Sequence, residues 1–440
     1  MQSDGPVEGY DRTSDAEFDP LADPEERRVL YAAINSFHRY REQAHFHVTH
    51  KRRQAFYALP QKHWQLLSAP PFNLLSTLEE IDHAIEVNAK IAEAFVASGV
   101  AMYGLDEPPN EPPYSHAESE GEISHSTRAD WQGPALPHDQ EKAHSTVKQL
   151  YRDWSAEGAP ERRACYDPVI AALDEEYKSI PRSQRGVVRV LVPGAGLGRF
   201  VYEATKAGYA VEGNEISYHQ LVASNHMLNH TTHAGQYELY PWIHGFSNHV
   251  NRQDQLRSVL VPDVHPATEL QRVASQSDIH PFERMSFSSA DFCVAYKEAD
   301  AKETFDSVAS IFFIDTAPNV IKYVEAVRHC LKTGGVWINV GPLKWHFEGS
   351  AAYRNKGRGE SSANKRETRG RLGNVATDEG IGDPGSVELA ENEVMALLDT
   401  MGFEVERHET MQISTGYINN PNSMWQGVYY PSFWVARKRK

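Results

Sequence analysis

The sequence predicts an α/β protein built on a doubly wound, mostly parallel sheet, with a second, helical region ahead of it. Three observations predict this. From about residue 187 onward, short β-branched runs alternate with segments of helical spacing, the pattern of βαβ units. The stretch "VRVLVPGAGLGRF" sets three glycines between the first such run and a helical pattern. The next run, "YAVEGNE", closes on an acid, Glu215.

Residues 1–22 are polar, acidic and rich in Gly, Asp and Pro, which predicts a disordered tail. At Asp23, Pro24 and Glu26 the pattern becomes that of a capped helix start, with a capping box expected between Asp23 and Glu26. Leu30, Ile34, Phe37 and Tyr40, then Leu78, Ile81, Ile85, Ala92 and Phe95, recur at helical spacing, so 23–104 reads as a helical domain or cap. Residues 105–140 carry Pro108, Pro109, Pro112 and Pro113 among polar residues and read as a mobile linker. The main domain, 141–440, opens on a helical stretch, "HSTVKQLYRDWSAEGAPERRACYDPVIAALDEEY". Strands are then expected at 187–192, 209–213, 285–289, 305–313 and 336–340. Two late segments, 403–407 and 428–436, have no crossover helix between them and are expected to pair as an antiparallel hairpin at one sheet edge. Two insertions interrupt the alternation, at 231–284 and at 349–385, the second rich in Gly, Arg and Ser.

Composition narrows the function classes. At 440 residues, with 40% hydrophobic residues and eight Trp, the chain can bury a large core. A net charge of −16 argues against tracking a phosphate backbone. No apolar run reaches membrane-spanning length, and the acidic start lacks a signal-peptide pattern. Cys165, Cys293 and Cys330 are few and widely spaced, so each is expected to be a small buried hydrophobe in a reducing compartment. The protein is expected to be cytoplasmic. The basic end "ARKRK" leaves a nuclear address open, with solvation of the chain end the blander reading.

The glycine loop can hold several ligands, and its details choose among them. Gly194, Gly196 and Gly198 make G-x-G-x-G, whereas a dinucleotide fingerprint needs a third small residue where Arg199 stands. No G-K-[ST] follows, so a P-loop is excluded. The remaining candidate is S-adenosylmethionine in a Rossmann-like class I methyltransferase. There Glu215 can accept from the ribose hydroxyls, while Asp291 can accept from the adenine amino group with Phe292 packed on the ring. Many methyltransferase loops carry an acid ahead of the first glycine. Val192-Pro193 stand there instead, so the ammonium of the cofactor is expected to find backbone carbonyls.

Beyond the loop, several longer strings resemble one family, the carnosine N-methyltransferases with their N2227-like domain. They are "KQLYRDWSAEG", "VLVPGAGLGRF", "GNEISY", "YPWIHGFSN", "FFIDTAPNVIKY", "GGVWINVGPLKWHFE" and "SMWQGVYYPSFWVARK", in that order across 141–438. The resemblance implies methyl transfer from S-adenosylmethionine, leaving S-adenosylhomocysteine, to an imidazole nitrogen of a histidine-containing dipeptide, carnosine to anserine. It implies Gln149, Arg152, Gly198, Glu215, Asp291 and Phe292 at the cofactor, Arg152 on the methionine carboxylate. Ile311 replaces a family cysteine and keeps the packing without the sulfur. It implies Asp315, His346, Tyr417 and Tyr429 at the substrate, and a homodimer, which no residue shows by itself.

Imidazole, with a pKa of about 6.5, is mostly neutral at pH 7, so a strong base is unnecessary. The expected task is to choose which nitrogen keeps the proton and to stabilise the growing positive charge. Asp315 is therefore expected to grip the far edge of the substrate ring, and His346 to hydrogen-bond the substrate or take a proton afterwards. On residue chemistry alone, Asp315 is equally an N-cap for a helix starting near Pro318, His346 a packed histidine, and Tyr429-Tyr430 strand core. No metal is expected: His45, His47 and His50 lack an acid or Cys to complete a site. "NEPPY" at Asn110–Tyr114 only superficially resembles the N-P-P-Y loop of amino methyltransferases. The rival functions are methylation of a histidine in a protein or longer peptide, and a cofactor-binding regulator without turnover.

Overall fold

A computed structural model describes residues 20–106, 131–133, 135–348 and 385–440. The expected acidic tail lies almost wholly outside these residues, as do most of the Pro-rich linker, "NEPPY" and nearly all of the 349–385 insertion.

Nine strands form among the described residues: β1 (Arg189–Pro193), β2 (Ala210–Asn214), β3 (Tyr237–Leu239), β4 (Val259–Val261), β5 (Met285–Ser288), β6 (Phe305–Ile311), β7 (Leu331–Gly341), β8 (Phe403–Glu409) and β9 (Ser432–Lys438). Seven make one sheet in the order β5-β2-β1-β6-β7-β9-β8. The pairs among β5, β2, β1, β6 and β7 are parallel, and β9 runs antiparallel to both β7 and β8. This is the doubly wound Rossmann-like sheet with a class I methyltransferase strand order. The two late strands do pair antiparallel, but the last is inserted between β7 and β8, so it is interior and β8 is the edge. Its burial explains the order: Phe433, Trp434 and Ala436 are all buried, and Trp434 packs edge-on to Trp337 at 4.9 Å. The basic end is tied down as well, Arg437 to Glu176 and Glu406 and Arg439 to Asp399. Within the 231–284 insertion, β3 and β4 form a small antiparallel pair that three-residue runs did not announce.

The helix at Pro24–His38 starts as expected, with Asp23 Oδ1 accepting from the Glu25 and Glu26 amides at 2.8 and 3.0 Å. The other half of the expected box gives way to a longer contact: the Glu26 carboxylate accepts from Tyr218 Oη at 2.8 Å. That helix and the long Leu74–Tyr103 helix do not stand apart from the sheet domain. Leu30, Ile34, Phe37, Ile85 and Phe95 share one core with Val222, Met227, Leu239, Trp242 and Ile243. Polar contacts cross the same boundary, Ser36 to His219 at 3.0 Å and Ser98 to His226 at 2.8 Å. The N-terminal helices therefore brace the helix that follows β2 and so fix one wall of the site described below.

Three histidines of this shared core are held neutral. His144 and His244 stack at 4.7 Å, and Tyr40 Oη meets His244 Nε2 at 2.9 Å. Burial lowers His144 and His226 to about 4 and His244 to about 3, neighbouring positive groups adding to the effect. The unfolded chain takes up these protons near pH 6.5, whereas the folded chain does not. The histidines' contribution is therefore intact above pH 6.5 and is lost as pH falls toward 4, on the order of 3 kcal/mol for each. Urea unfolding at pH 7.5 and pH 5 is expected to show this acid loss, and a His144→Gln, His244→Gln double variant to flatten it. Equal acid slopes in the two proteins would contradict the assignment.

Candidate active site

Strand order reverses between β1 and β6, and a crevice opens at the carboxyl ends of these strands, where doubly wound sheets bind ligands. It is a cavity of about 660 Å³. Gly194 and Gly196 line it after β1, Glu215 after β2, Asp291 and Phe292 after β5, and Ile311 to Phe313 at the end of β6. Gln149 and Arg152, from the helix Pro137–Trp154, line its other side with His346 and Tyr417. Ten of the thirteen predicted site residues line the cavity: Gln149, Arg152, Gly194, Gly196, Glu215, Asp291, Phe292, Ile311, His346 and Tyr417; Gly198, Asp315 and Tyr429 do not.

 

The loop is shaped by positive φ at its glycines and by one carboxylate. Glu215 Oε2 accepts from the Gly196 amide at 2.9 Å, and Oε1 accepts from the Ile216 and Ser217 amides at 3.0 and 2.9 Å. The acid at the end of β2 thus fastens the loop after β1. Gly198 has a different task from the one expected. It is buried at φ +75°, and a Cβ there would come within 2.9 Å of Leu228 Cδ1 and 3.1 Å of Phe287 Cζ, so it packs helix on sheet and does not meet the cavity. Arg199, which broke the dinucleotide pattern, turns inward to Asp263 and to the Asp153 carbonyl, with its guanidinium over Trp154 at 5.0 Å.

At the far end, Asp291 caps the short Phe292–Ala295 helix, its Oδ1 accepting from the Cys293 and Val294 amides. Phe292, Phe313 and Tyr323 form an aromatic wall, the last two stacked at 4.6 Å. Cys293 also lines the cavity, unlike the buried Cys165 and Cys330, so the expectation of three core cysteines fails for this one. Gly194 faces the same wall: at φ +65°, a Cβ would lie 2.6 Å from Phe313 Cδ2. Gly194→Ala is expected to cost about 1–3 kcal/mol and to push Phe313 into the cleft. Thermal melts with and without S-adenosylmethionine check this: the melting temperature falls and the shift on adding cofactor shrinks.

Arg152 is buried, with its guanidinium 5.2 Å over Phe312 and 4.6 Å over Tyr417. Burial works against the cation, but Tyr166, Asp153 and Tyr417 around it outweigh that and raise its pKa. Phe312 has a backbone φ of +54°, a strained conformation for an aromatic residue and one that clusters at functional sites. Its ring meets Tyr417 at 5.3 Å and the Tyr429 ring edge-on at 5.9 Å. Tyr429 therefore supports the aromatic cluster from behind Phe312 and is not strand core; it bridges to Thr415 outside the named strands.

Asp315 departs most from expectation. It lies in a single 3-10 turn, Ile314–Thr316, and is buried, its Oδ2 accepting from the Lys344 amide at 3.0 Å. It does not line the cavity, so it does not present its carboxylate to a ligand directly in this structure. Nor is it the helix cap: Asn319 caps Val320–Cys330 through its side chain. The Asp315 carbonyl instead accepts from the His346 amide at 3.1 Å, and its carboxylate lies close enough to feel that ring's charge. Burial pushes its carboxyl above the usual carboxylate range, partly offset by the Lys344 amide and by His346. His346 is exposed and faces the cavity.

With this geometry in place, the comparisons decide the family. A family profile described as carnosine N-methyltransferase matches residues 129–440. A carnosine N-methyltransferase of Schizosaccharomyces pombe is 33% identical over 95% of this chain and 98% of its own. The chain belongs to the carnosine N-methyltransferase family. A mouse carnosine N-methyltransferase is 34% identical over 94% of this chain and 86% of its own, and one from Drosophila melanogaster is 35% identical over 68% and 55%. The carnosine N-methyltransferase strings quoted above supply most of the cavity wall. Phe312, Phe313, Thr316 and Tyr323 all fall within "FFIDTAPNVIKY" and were not singled out by residue chemistry. The strained backbone of Phe312 has no local sequence signal. Among the described residues no group of His, Cys, Asp and Glu is arranged to hold a metal. His45 is instead engaged by Asp82 and Glu86 at 2.9 and 2.7 Å.

Proposed function

We propose that the protein transfers a methyl group from S-adenosylmethionine to an imidazole nitrogen of carnosine. The observation that carries the reading is the continuous cavity at the strand-order switch, which joins Glu215, Asp291 and Phe292 at one end to His346 and Tyr417 at the other. Its walls suit the cofactor: an acid at the end of β2 for a ribose, aromatic rings beside Asp291 for an adenine, and a buried cation, Arg152, for a carboxylate. Bound there, the cofactor supplies an electrophilic methyl on a sulfonium.

The chain's own residues hold and align. Arg152 fixes the carboxylate end of a nucleoside amino acid and Glu215 its ribose, and Phe312 and Tyr417 form a wall for a flat ring. His346 stands where it can accept a hydrogen bond from the distal N–H of a substrate imidazole, leaving the near nitrogen's lone pair bare, or accept the proton released afterwards. Asp315, behind it, supplies negative potential that grows in value as the substrate ring becomes positive. This replaces a direct grip on the ring by support through His346.

The test is incubation with methyl-labelled S-adenosylmethionine and a panel of carnosine, other histidine dipeptides, free histidine and histidine-containing proteins. Label is expected in carnosine. Transfer to proteins alone would overturn the dipeptide reading, and cofactor binding without transfer to any acceptor would favour a regulator.

A further inference from the structure

The structure assigns a positioning role to Glu161, a residue outside the cavity: its carboxylate sets the segment that carries Tyr417 at the substrate end of the cleft and Tyr429 behind Phe312. This deepens the functional proposal and rests on it. Glu161 lies in the first turn of the helix Ala159–Glu176. Its Oε2 accepts from the Ile418 amide and its Oε1 from the Asn419 amide, both at 2.8 Å. Two consecutive backbone donors thus meet two oxygens of one carboxylate, a charge-assisted pair.

The clamped segment does not hold this shape by local preference. Ile418 sits at φ +56°, which a β-branched residue rarely adopts. At Gly416 the backbone passes so close that a Cβ would lie 2.5 Å from Glu161 Oε1. Tyr417 stands between these two residues, its ring against Phe312 and under Arg152. The clamp extends to the other tyrosine: Thr415 and Tyr429 exchange backbone hydrogen bonds at 3.1 and 2.8 Å, and Asn419 Nδ2 donates to the Gly427 carbonyl at 2.7 Å. The next residue, Arg162, donates to the Arg152 and Ser155 carbonyls, both at 2.6 Å. One helical turn therefore sets the segment bearing Arg152 through Arg162 and the tyrosine segment through Glu161.

Glu161→Gln keeps the shape but offers one acceptor and one donor where two acceptors are needed. The expected result is a rise of about tenfold in KM for carnosine, with the Kd for S-adenosylmethionine within twofold and faster hydrogen exchange at the Ile418 and Asn419 amides; Glu161→Asp, which keeps the charge with shorter reach, falls between. Lost protection with an unchanged carnosine KM would overturn the role, as would an equal loss of cofactor and substrate affinity. Carnosine turnover by the unaltered protein is measured first. Its absence would count against the functional proposal, and exchange alone would then decide the clamp, retained protection in Glu161→Gln overturning it. If that variant does not fold, unprotected Ile418 and Asn419 amides in the unaltered protein overturn it too.

Discussion

Glu215→Ala is expected to raise the Kd for S-adenosylmethionine by about 100-fold, close to 3 kcal/mol. Two losses combine in that figure. The carboxylate at the end of β2 is the acceptor proposed for the ribose, and hydrogen bonds to a charged group contribute about 1.5–3 kcal/mol each. The same carboxylate accepts from the Gly196, Ile216 and Ser217 amides, so removing it also frees the glycine loop from the end of β2. Titration calorimetry measures the change, and circular dichroism checks that the sheet persists. A Kd within threefold of the unaltered protein would show that the ribose is held elsewhere.

Asp315→Asn is expected to lower kcat by tenfold or more, about 1.4 kcal/mol, with cofactor affinity unchanged. The buried carboxylate accepts from the Lys344 amide and lies beside His346, and it is outside the cofactor's end of the cavity. The amide side chain retains an acceptor for Lys344 but removes the negative charge. The loss should therefore fall on the step in which the substrate ring becomes positive, not on binding. Full turnover in Asp315→Asn would remove Asp315 from the mechanism.

The strands of the parallel sheet were legible because Val190 to Val192, Val211 and Phe305 to Ile311 sit between turn and helix signals, and the acid of Glu215 marked the end of β2. Boundaries moved by one or two residues, and β7 began five residues early, at Leu331. The interior place of β9 was not legible, because strand order is decided by long-range pairing and by the fit of Trp434 beside Trp337. Among site residues, the glycines and acids that a nucleoside needs could be read from spacing. The depth of Asp315 could not, since one 3-10 turn decides whether its side chain or its neighbour Thr316 meets the cavity. The motif that marks Gly198 as a cofactor contact does not separate a glycine that faces a ligand from one that packs on Leu228 and Phe287.

The most direct measurement is a ¹³C NMR spectrum of the reaction mixture after incubation of the purified protein with carnosine and S-adenosylmethionine carrying a ¹³C-methyl group. Methyl transfer to the ring predicts a new labelled N-methyl signal correlated to the ring carbons of the dipeptide's imidazole, absent without protein. A labelled methyl that stays on the cofactor, or that appears on the dipeptide's amine, would contradict it.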